Sequence, residues 1–353
     1  MSIKDFIKRN EKIYYLIYCF SKVNSKRFRN RVLSIRTNPY SLVFDHYGSE
    51  NSDKVFYEIL VGDETKGFCS AIRDTLYYLM YADAMNFVPY IHFVDNIPYH
   101  EEHLVNGRSN TFEYYFEQPA DIEFDELKKS SKVVHAESVH LQGNFVLHGL
   151  KQPKEYYSSD TEAIEICGEM YKKYIRLNKF VYDKLEEDMR KLFPTGTKKV
   201  LGVHYRGTDF KVGYNGHPVV IKFQRHIEEA KKLMSAEQFD YIFLATEDGD
   251  VISEFKNQFG DKLLLYSDVV RGTGETNAYN MASDREDHHY LLGYEVLRDV
   301  YTLSRCNSLV TSMSGVGITS QIVKESCGEK YDKVIMLNAG INKSSKVLQK
   351  NKY

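Results

Sequence analysis

The feature that most constrains this chain is a regular alternation of apolar strands and amphipathic helices after residue 196. The predicted strands are Val200–Tyr205, Tyr241–Ala245, Leu263–Tyr266, Ser308–Ser312 and Lys333–Leu337, with helices near 219–234, 250–259, 288–305 and 316–326. Strands that alternate with helices in this way predict a parallel, doubly wound open sheet. Ligands of such sheets bind outside the carboxyl ends of the strands, so we expect functional residues just after each strand.

A similar pattern lies nearer the amino terminus. Val55–Val61 and Val88–Val94 are predicted as buried strands, and Cys69–Asn86 between them as a helix with apolar residues at helical spacing. This βαβ unit indicates a second open α/β sheet. Shorter strands are expected near Val133–His135 and Phe145–His148.

A long helical pattern separates the two halves of the chain. Thr161–Phe193 carries apolar residues at helical spacing and ends at Pro194–Gly196, which breaks helices strongly. The predicted organisation is a basic N-terminal segment 1–36, an α/β domain 37–195, a Rossmann-like domain 196–340 and a basic tail 341–353.

Charge is unevenly distributed along the 353 residues. Residues 1–36 carry ten basic and two acidic side chains, a charge of +8, which leaves −10 for the rest of a chain whose net charge is −2. The near-neutral total argues against a nucleic-acid-binding protein. Five widely spaced cysteines without a CxxC pair predict reduced thiols, and we expect a cytoplasmic location.

The N-terminal segment contains one apolar run, Ile13–Phe20. It is far shorter than the roughly 20 residues of a spanning helix and lacks a signal-peptide cleavage site. Its apolar residues recur at helical spacing between basic flanks, a pattern typical of a helix on an anionic membrane surface. An ordinary surface helix packed on the body of the protein gives the same pattern, so peripheral contact with the inner face of a membrane is one of two interpretations.

An abruptly polar turn follows the first strand of the C-terminal pattern: His204-Tyr-Arg206-Gly207-Thr208-Asp209, then Phe-Lys211. An arginine here is suited to hold a diphosphate through two hydrogen bonds, and glycine lets the backbone approach phosphate oxygens. A loop with a structural Arg–Asp pair is the alternative.

The second strand is followed by Thr246-Glu-Asp248-Gly-Asp250. Asp248 is suited to cap the next helix, and equally to lie beside the first polar turn. Asp248 and Asp250 also form a D-x-D, a triplet that can hold Mg²⁺ or Mn²⁺ on a nucleotide sugar.

Two further candidates accompany the fourth strand. Ser314 and Gly315 open a helix, where backbone N–H groups form an anion pocket. Asp299 lies among apolar residues, where a buried carboxylate would suit the two N–H groups of a guanine edge, although its spacing alone favours the helix surface. In the N-terminal half, Lys66 is either a phosphate contact or a solvated turn residue.

Three stretches, VLGVHYRGTDFKVG, FLATEDGD and LRDVYTLSRCNSLVTSMSG, together resemble the GDP-fucose-dependent fucosyltransferases. The similarity is greatest to the α1,6-fucosyltransferases, including the nodulation type, with kinship to α1,2- and protein O-fucosyltransferases. The family's strand ending in H-x-R-[RG]-[TG]-D is matched by His204–Asp209. The resemblance is clear over about residues 198–325 and fainter at the Gly67 loop.

This resemblance implies an α/β, GT-B-like enzyme with two Rossmann-like open-sheet domains facing a cleft. It implies an inverting transfer of fucose from GDP-fucose to an oligosaccharide or lipid-linked glycan, without metal or cofactor, with 37–195 on the acceptor side. Arg206 would bind the β-phosphate and Asp299 the guanine. The donor-binding set carried over is His204, Arg206, Gly207, Thr208, Lys211, Thr246, Asp248, Asp299, Ser314 and Gly315.

The chain departs from the family at two positions. Gly207 stands where the α1,6 enzymes have a second arginine, and Tyr214-Asn215 stands where they have the catalytic glutamate. Asp209, Asp248 and His217 are therefore candidates for the base, and we predict Asp209 as the catalytic partner of Arg206.

Two other functions fit the same residues. One is a metal-dependent glycosyltransferase that uses Asp248-Gly-Asp250 with another nucleotide sugar. The other is a non-catalytic nucleotide- or glycan-binding protein anchored by its basic N-terminal segment.

Overall fold

The computed structural model describes residues 43–136, 160–213, 216–281 and 283–343. The segment 1–36, the predicted strand Phe145–His148, residues 344–353 of the tail and the side chain of Asp209 lie outside what it describes. The described residues form two compact units, 43–59 with 81–90 and 120–136, and 60–80 with 91–119 and the chain from 160 onward. The domain limits expected from the sequence stay a prediction.

The described residues contain the following elements. The strands are β1 Phe56–Val61, β2 Val88–Phe93, β3 Phe116–Glu117, β4 Val133–His135, β5 Arg176–Leu177, β6 Val200–Tyr205, β7 Tyr241–Thr246, β8 Leu263–Leu264, β9 Ser308–Ser312 and β10 Lys333–Leu337. The α-helices are α1 Phe68–Ala84, α2 Phe124–Lys129, α3 Thr161–Tyr174, α4 Lys179–Leu192, α5 Phe223–Ala236, α6 Ile252–Phe259, α7 His288–Arg305 and α8 Gly315–Ser326. Short 3₁₀ helices lie at Thr111–Tyr114, Thr208–Val212, Gly249–Val251, Gly260–Lys262 and Ala278–Asn280.

The N-terminal βαβ unit is present as predicted. β1, α1 and β2 follow one another, and the three-stranded sheet has the order β2-β1-β4 with β4 parallel to β1. In the first unit, Phe56, Tyr90, Leu127 and Val133 form a small apolar core. The α/β class is thereby confirmed for this half of the chain.

The five-stranded sheet of the second unit has the order β10-β9-β6-β7-β8, and every pair in it is parallel. This is the doubly wound arrangement that the alternation predicts. The chain order reverses between β6 and β9, and the crevice at such a reversal is where these sheets bind ligands.

The burial of the central strand β6 explains why this strand is easy to predict from its sequence. All six of its residues are buried, which a strand covered by helices on both faces requires. Leu201 and Val203 pack with Ile227 of α5 on one face. Val200 packs with Leu303 of α7 on the other.

The predicted single helix Thr161–Phe193 is wrong, because the chain forms two helices, α3 and α4. Between them, β5 pairs antiparallel with β3, which satisfies backbone groups that a helix would otherwise use. Asn178 then caps α4, since its side chain accepts a hydrogen bond from Val181 N at 2.9 Å and donates one to Tyr114 O at 2.9 Å. In the described part of the chain, no helix has both the length and the apolar character that crossing a bilayer requires.

Candidate functional site

The candidate site lies at the carboxyl ends of β6 and β9, where the strand order reverses. His204 is 4% exposed, and its Nδ1 lies 3.0 Å from Ser314 Oγ and 3.3 Å from Thr311 Oγ1. Burial, with a smaller contribution from the positive charge of Arg206, lowers the pKa of His204 to about 3. The imidazole is therefore neutral at physiological pH.

The Nδ1 atom of His204 lies between two hydroxyl oxygens. Ser314 Oγ accepts a hydrogen bond from Gly317 N at 3.2 Å, and Thr311 Oγ1 donates one to Ser312 O at 3.0 Å. The two hydroxyls therefore hold the His204 ring in place at the start of α8.

Two helices of the second unit begin side by side at this edge. Ser314 caps α8, whose first residue is Gly315, and a Cβ placed on Gly315 would lie 3.1 Å from the Cβ of Cys69, the second residue of α1. The first N–H of α1, from Phe68, donates to the Tyr99 hydroxyl at 2.9 Å. The positive ends of two helix dipoles therefore meet here, which favours an anion.

The polar turn after β6 is held by a residue that the sequence analysis passed over. One carboxylate oxygen of Glu247 accepts a hydrogen bond from Arg206 Nη1, and the other accepts one from Thr208 Oγ1. The Arg206 guanidinium also lies 5.1 Å from the Phe210 ring centroid. Thr208 has a φ of +36°, a left-handed conformation that is unusual for a β-branched residue. Such strain is often found at functional sites.

The buried side chain of Asp248 explains why residue 207 is glycine. A Cβ at Gly207 would lie 2.0 Å from Asp248 Oδ2, so any larger residue would displace the Asp248 side chain. Asp248 is completely buried, and Lys211 Nζ lies 2.6 Å from the same oxygen. The capping interpretation of Asp248 is confirmed, because its Oδ1 accepts a hydrogen bond from Asp250 N at 3.0 Å.

These contacts bear on the metal-dependent alternative. Asp248 is occupied by its cap and by Lys211, and Asp250 Oδ2 accepts a hydrogen bond from Gly274 N at 2.9 Å. Across the described ranges, no three His, Cys, Asp or Glu side chains are grouped as a metal site would need. The two carboxylates of the D-x-D therefore serve the local loops in this structure.

Asp299 lies on α7 and is partly buried, rather than on the open surface that its spacing alone favoured. Burial raises its pKa to about 7, although the neighbouring Arg298 and Arg271 oppose the shift. Arg298 donates hydrogen bonds to Asp268, at 2.7 and 3.0 Å, and to Asp188, at 2.8 Å. No described residue donates a hydrogen bond to the Asp299 carboxylate.

The charges of Asp299 and Arg206 both act on the thiol of Cys69. Burial raises the pKa of this thiol to about 11, and among the smaller effects Arg206 lowers this pKa while Asp299 raises it. Both side chains are therefore within electrostatic reach of the start of α1.

The remaining predicted residues have structural contacts. Thr246 Oγ1 accepts a hydrogen bond from Asp248 N at 3.1 Å, and the His217 ring lies edge-on to Phe210, with centroids 5.7 Å apart. Lys66 forms an ion pair with Asp74 at 2.9 Å, so it is not simply a solvated turn residue.

The loop after β8 also belongs to this edge, and sequence reasoning missed it. Gly272 N donates to Glu247 O at 2.8 Å, and Arg271 donates to Thr246 O at 3.2 Å and Tyr266 O at 2.6 Å. In the sequence, the one indication that Glu247 belongs to the site is its position directly after the strand β7. The loop itself has no motif that points to the site.

Comparisons with known proteins give structural likeness only. No protein-family model matches the chain, and no curated protein matches it. Among solved structures, the α-1,6-fucosyltransferase NodZ co-crystallised with GDP is 13% identical, with 77% of this chain and 92% of that chain covered and a TM-score of 0.45. Fucosyltransferase NodZ from Bradyrhizobium is 13% identical, with 76% and 92% covered and a TM-score of 0.45. POFUT1 in complex with GDP-fucose is 12% identical, with 82% and 99% covered and a TM-score of 0.48. Because these TM-scores and identities are low, the function proposed below rests on the residues of the site.

Proposed function

We propose that this protein is a GT-B-like inverting glycosyltransferase that transfers fucose from GDP-fucose to a hydroxyl group of a glycan without a metal ion. One observation carries the proposal. At the switch point of a doubly wound sheet, a guanidinium, a neutral histidine and two helix N-termini lie at one edge, an arrangement suited to a sugar diphosphate.

The chemistry of the transfer assigns a role to each group. The bond between the sugar and the β-phosphate breaks, a positive charge develops on the sugar, and the electron pair leaves with GDP. Arg206 stabilises the growing negative charge on the diphosphate, and the helix N-termini with Gly315 share that charge. His204, as a neutral imidazole, contacts the nucleotide. Thr208, Lys211, Thr246 and Asp248 shape the donor-binding turn.

Asp299 recognises the guanine in this proposal. A guanine edge offers two adjacent N–H groups, and the Asp299 carboxylate receives no hydrogen bond from the described residues. Pairing with the base would satisfy a carboxylate that burial otherwise disfavours. Asp209 is proposed as the base that takes the proton from the acceptor hydroxyl.

The acceptor is proposed to be an oligosaccharide or lipid-linked glycan, bound on the side of domain 37–195.

The basic segment 1–36 would hold the enzyme on an anionic membrane in the cytoplasm, where such acceptors are assembled. We expect the full chain to sediment with anionic vesicles and a variant lacking 1–36 to stay in the supernatant. Equal sedimentation of the two proteins would rule out this role.

Nucleotide specificity tests the donor assignment directly. We expect GDP, GDP-fucose and GDP-mannose to raise the melting temperature and UDP to leave it unchanged, because only guanine satisfies Asp299. The measurement is a thermal-shift titration at matched nucleotide concentrations. Release of GDP from GDP-fucose in the presence of glycan acceptors then separates a transferase from a binding protein. Stabilisation by UDP and not by GDP would overturn the proposal.

A further inference from the structure

Glu247 joins two parts of the polar turn after β6. The parallel register pairs Tyr205 with Thr246, so the next residues of the two strands, Arg206 and Glu247, leave the sheet as neighbours. The backbone of Glu247 is fixed as well, since its carbonyl accepts a hydrogen bond from Gly272 N at 2.8 Å. The carboxylate is therefore presented to the turn from a rigid strand end.

The two carboxylate oxygens of Glu247 bind the residues that precede and follow Gly207 in the chain. One accepts a hydrogen bond from Arg206 and the other accepts one from Thr208, so the carboxylate spans the glycine. Gly207 has no side chain to limit its rotation, and Thr208 is held at a φ of +36°. An arginine side chain that is free to rotate loses rotamer entropy when it is fixed.

We propose that Glu247 is a positioning residue that holds Arg206 in the orientation that meets the leaving diphosphate. This inference rests on the proposed function, because it assigns a role relative to the same donor. The Glu247 side chain is 21% exposed and that of Arg206 is 23% exposed. The pair is thus open enough for a phosphate to join the guanidinium while Glu247 keeps its two bonds.

Competition with phosphate is the opposite interpretation of the same contact, and it predicts the opposite result. If Glu247 merely occupied Arg206, it would compete with phosphate, and its removal would tighten the binding of GDP. A positioning carboxylate, in contrast, strengthens the interaction that grows as GDP leaves. Its loss should weaken the binding of GDP and lower kcat.

The test compares Glu247→Gln with Glu237→Gln. Glu237 is a matched control, because it forms a similarly exposed ion pair with Lys199, at 2.7 Å, at the opposite, amino end of the same sheet. We expect Glu247→Gln to lower kcat by about tenfold or more and weaken GDP binding by about fivefold, with a smaller change in the KM for GDP-fucose. Glu237→Gln should retain wild-type values, and both variants should keep their melting temperatures within a few degrees.

A double-mutant cycle shows whether Glu247 acts through Arg206. In an Arg206→Lys background, which lacks the planar fork, Glu247→Gln should cost less than threefold further in kcat. Fully additive effects would overturn the proposal, as would tighter GDP binding by Glu247→Gln or wild-type kinetics in that variant. If Glu247 were the general base, Glu247→Gln would remove the acidic limb of the pH–rate profile. If Glu247 is a positioning residue, that limb remains in the variant.

The GDP titration by calorimetry does not depend on turnover. If the wild-type protein releases no GDP from GDP-fucose, the proposed function fails, and a weaker GDP affinity in Glu247→Gln still supports the positioning of Arg206. If the wild type is active and Glu247→Gln matches it in kcat and GDP affinity, only the role of Glu247 fails.

Discussion

Arg206→Ala should abolish measurable transfer of fucose while the protein stays folded. Removing a donor that stabilises transition-state charge costs on the order of a hundredfold to a thousandfold in kcat. The fold should survive, because the Arg206 side chain is partly exposed and the buried contacts of the turn run through Asp248 and Lys211. Turnover of GDP-fucose is measured by GDP release, and the fold is checked by circular dichroism and melting temperature.

Arg225→Ala is the matched control for this prediction. Arg225 forms ion pairs with Glu228 and Glu229, both at 2.9 Å, in the first turns of α5, and its side chain is 51% exposed. Arg225→Ala removes a guanidinium that, like that of Arg206, pairs with glutamate, but that lies outside the proposed site. The kcat of this variant should stay near the wild-type value. Near-normal turnover by Arg206→Ala would refute the assignment of the leaving-group arginine.

Asp299→Asn should remove the preference of the protein for guanine. An ionised carboxylate can accept two hydrogen bonds from the base, whereas an asparagine side chain offers one acceptor and presents an NH₂ group to the other donor. Losing one hydrogen bond to a charged group costs about 1.5–3 kcal/mol, so GDP affinity should fall roughly tenfold to a hundredfold. Calorimetry with GDP and with IDP, which lacks the exocyclic amine, measures the effect.

The wild type should bind GDP more tightly than IDP, and Asp299→Asn should bind the two with similar affinity. Asp268→Asn is a control, because Asp268 pairs with the adjacent Arg298 and its side chain is 67% exposed. That variant should keep the preference for GDP. An unchanged ratio of GDP to IDP affinity in Asp299→Asn would mean that the base is recognised elsewhere.

The same carboxylate should make guanine binding depend on pH. Burial raises the pKa of Asp299 to about 7, so the group is mostly protonated at pH 6 and mostly ionised at pH 8. Because the two N–H groups of guanine favour the ionised form, GDP affinity should rise with pH through this range and level off above it. The contribution of phosphate titration is removed by taking the ratio of GDP to IDP affinity, and this ratio should be independent of pH in Asp299→Asn.

The sequence determined the elements of the five-stranded sheet and the edge where functional residues lie. β6 is buried along its whole length, so it begins with the apolar or small residues 200–203, and the chain turns polar from His204 onward. Parallel strands end at a common edge, and this rule alone predicts that His204 and Ser314 lie together. Both arguments depend on local patterns, which a sequence displays directly.

Contacts between distant residues were decided by tertiary structure. The helical spacing of 161–193 continues through Asn178, and the break there depends on the pairing of β5 with β3. Likewise, nothing in the sequence marks Glu247 as the partner of Arg206, because 41 residues separate them. The register of β6 against β7 makes them neighbours, and it sets Gly207 against Asp248 by the same offset. Strand register is a property of two packed strands, and neither strand's own pattern contains it.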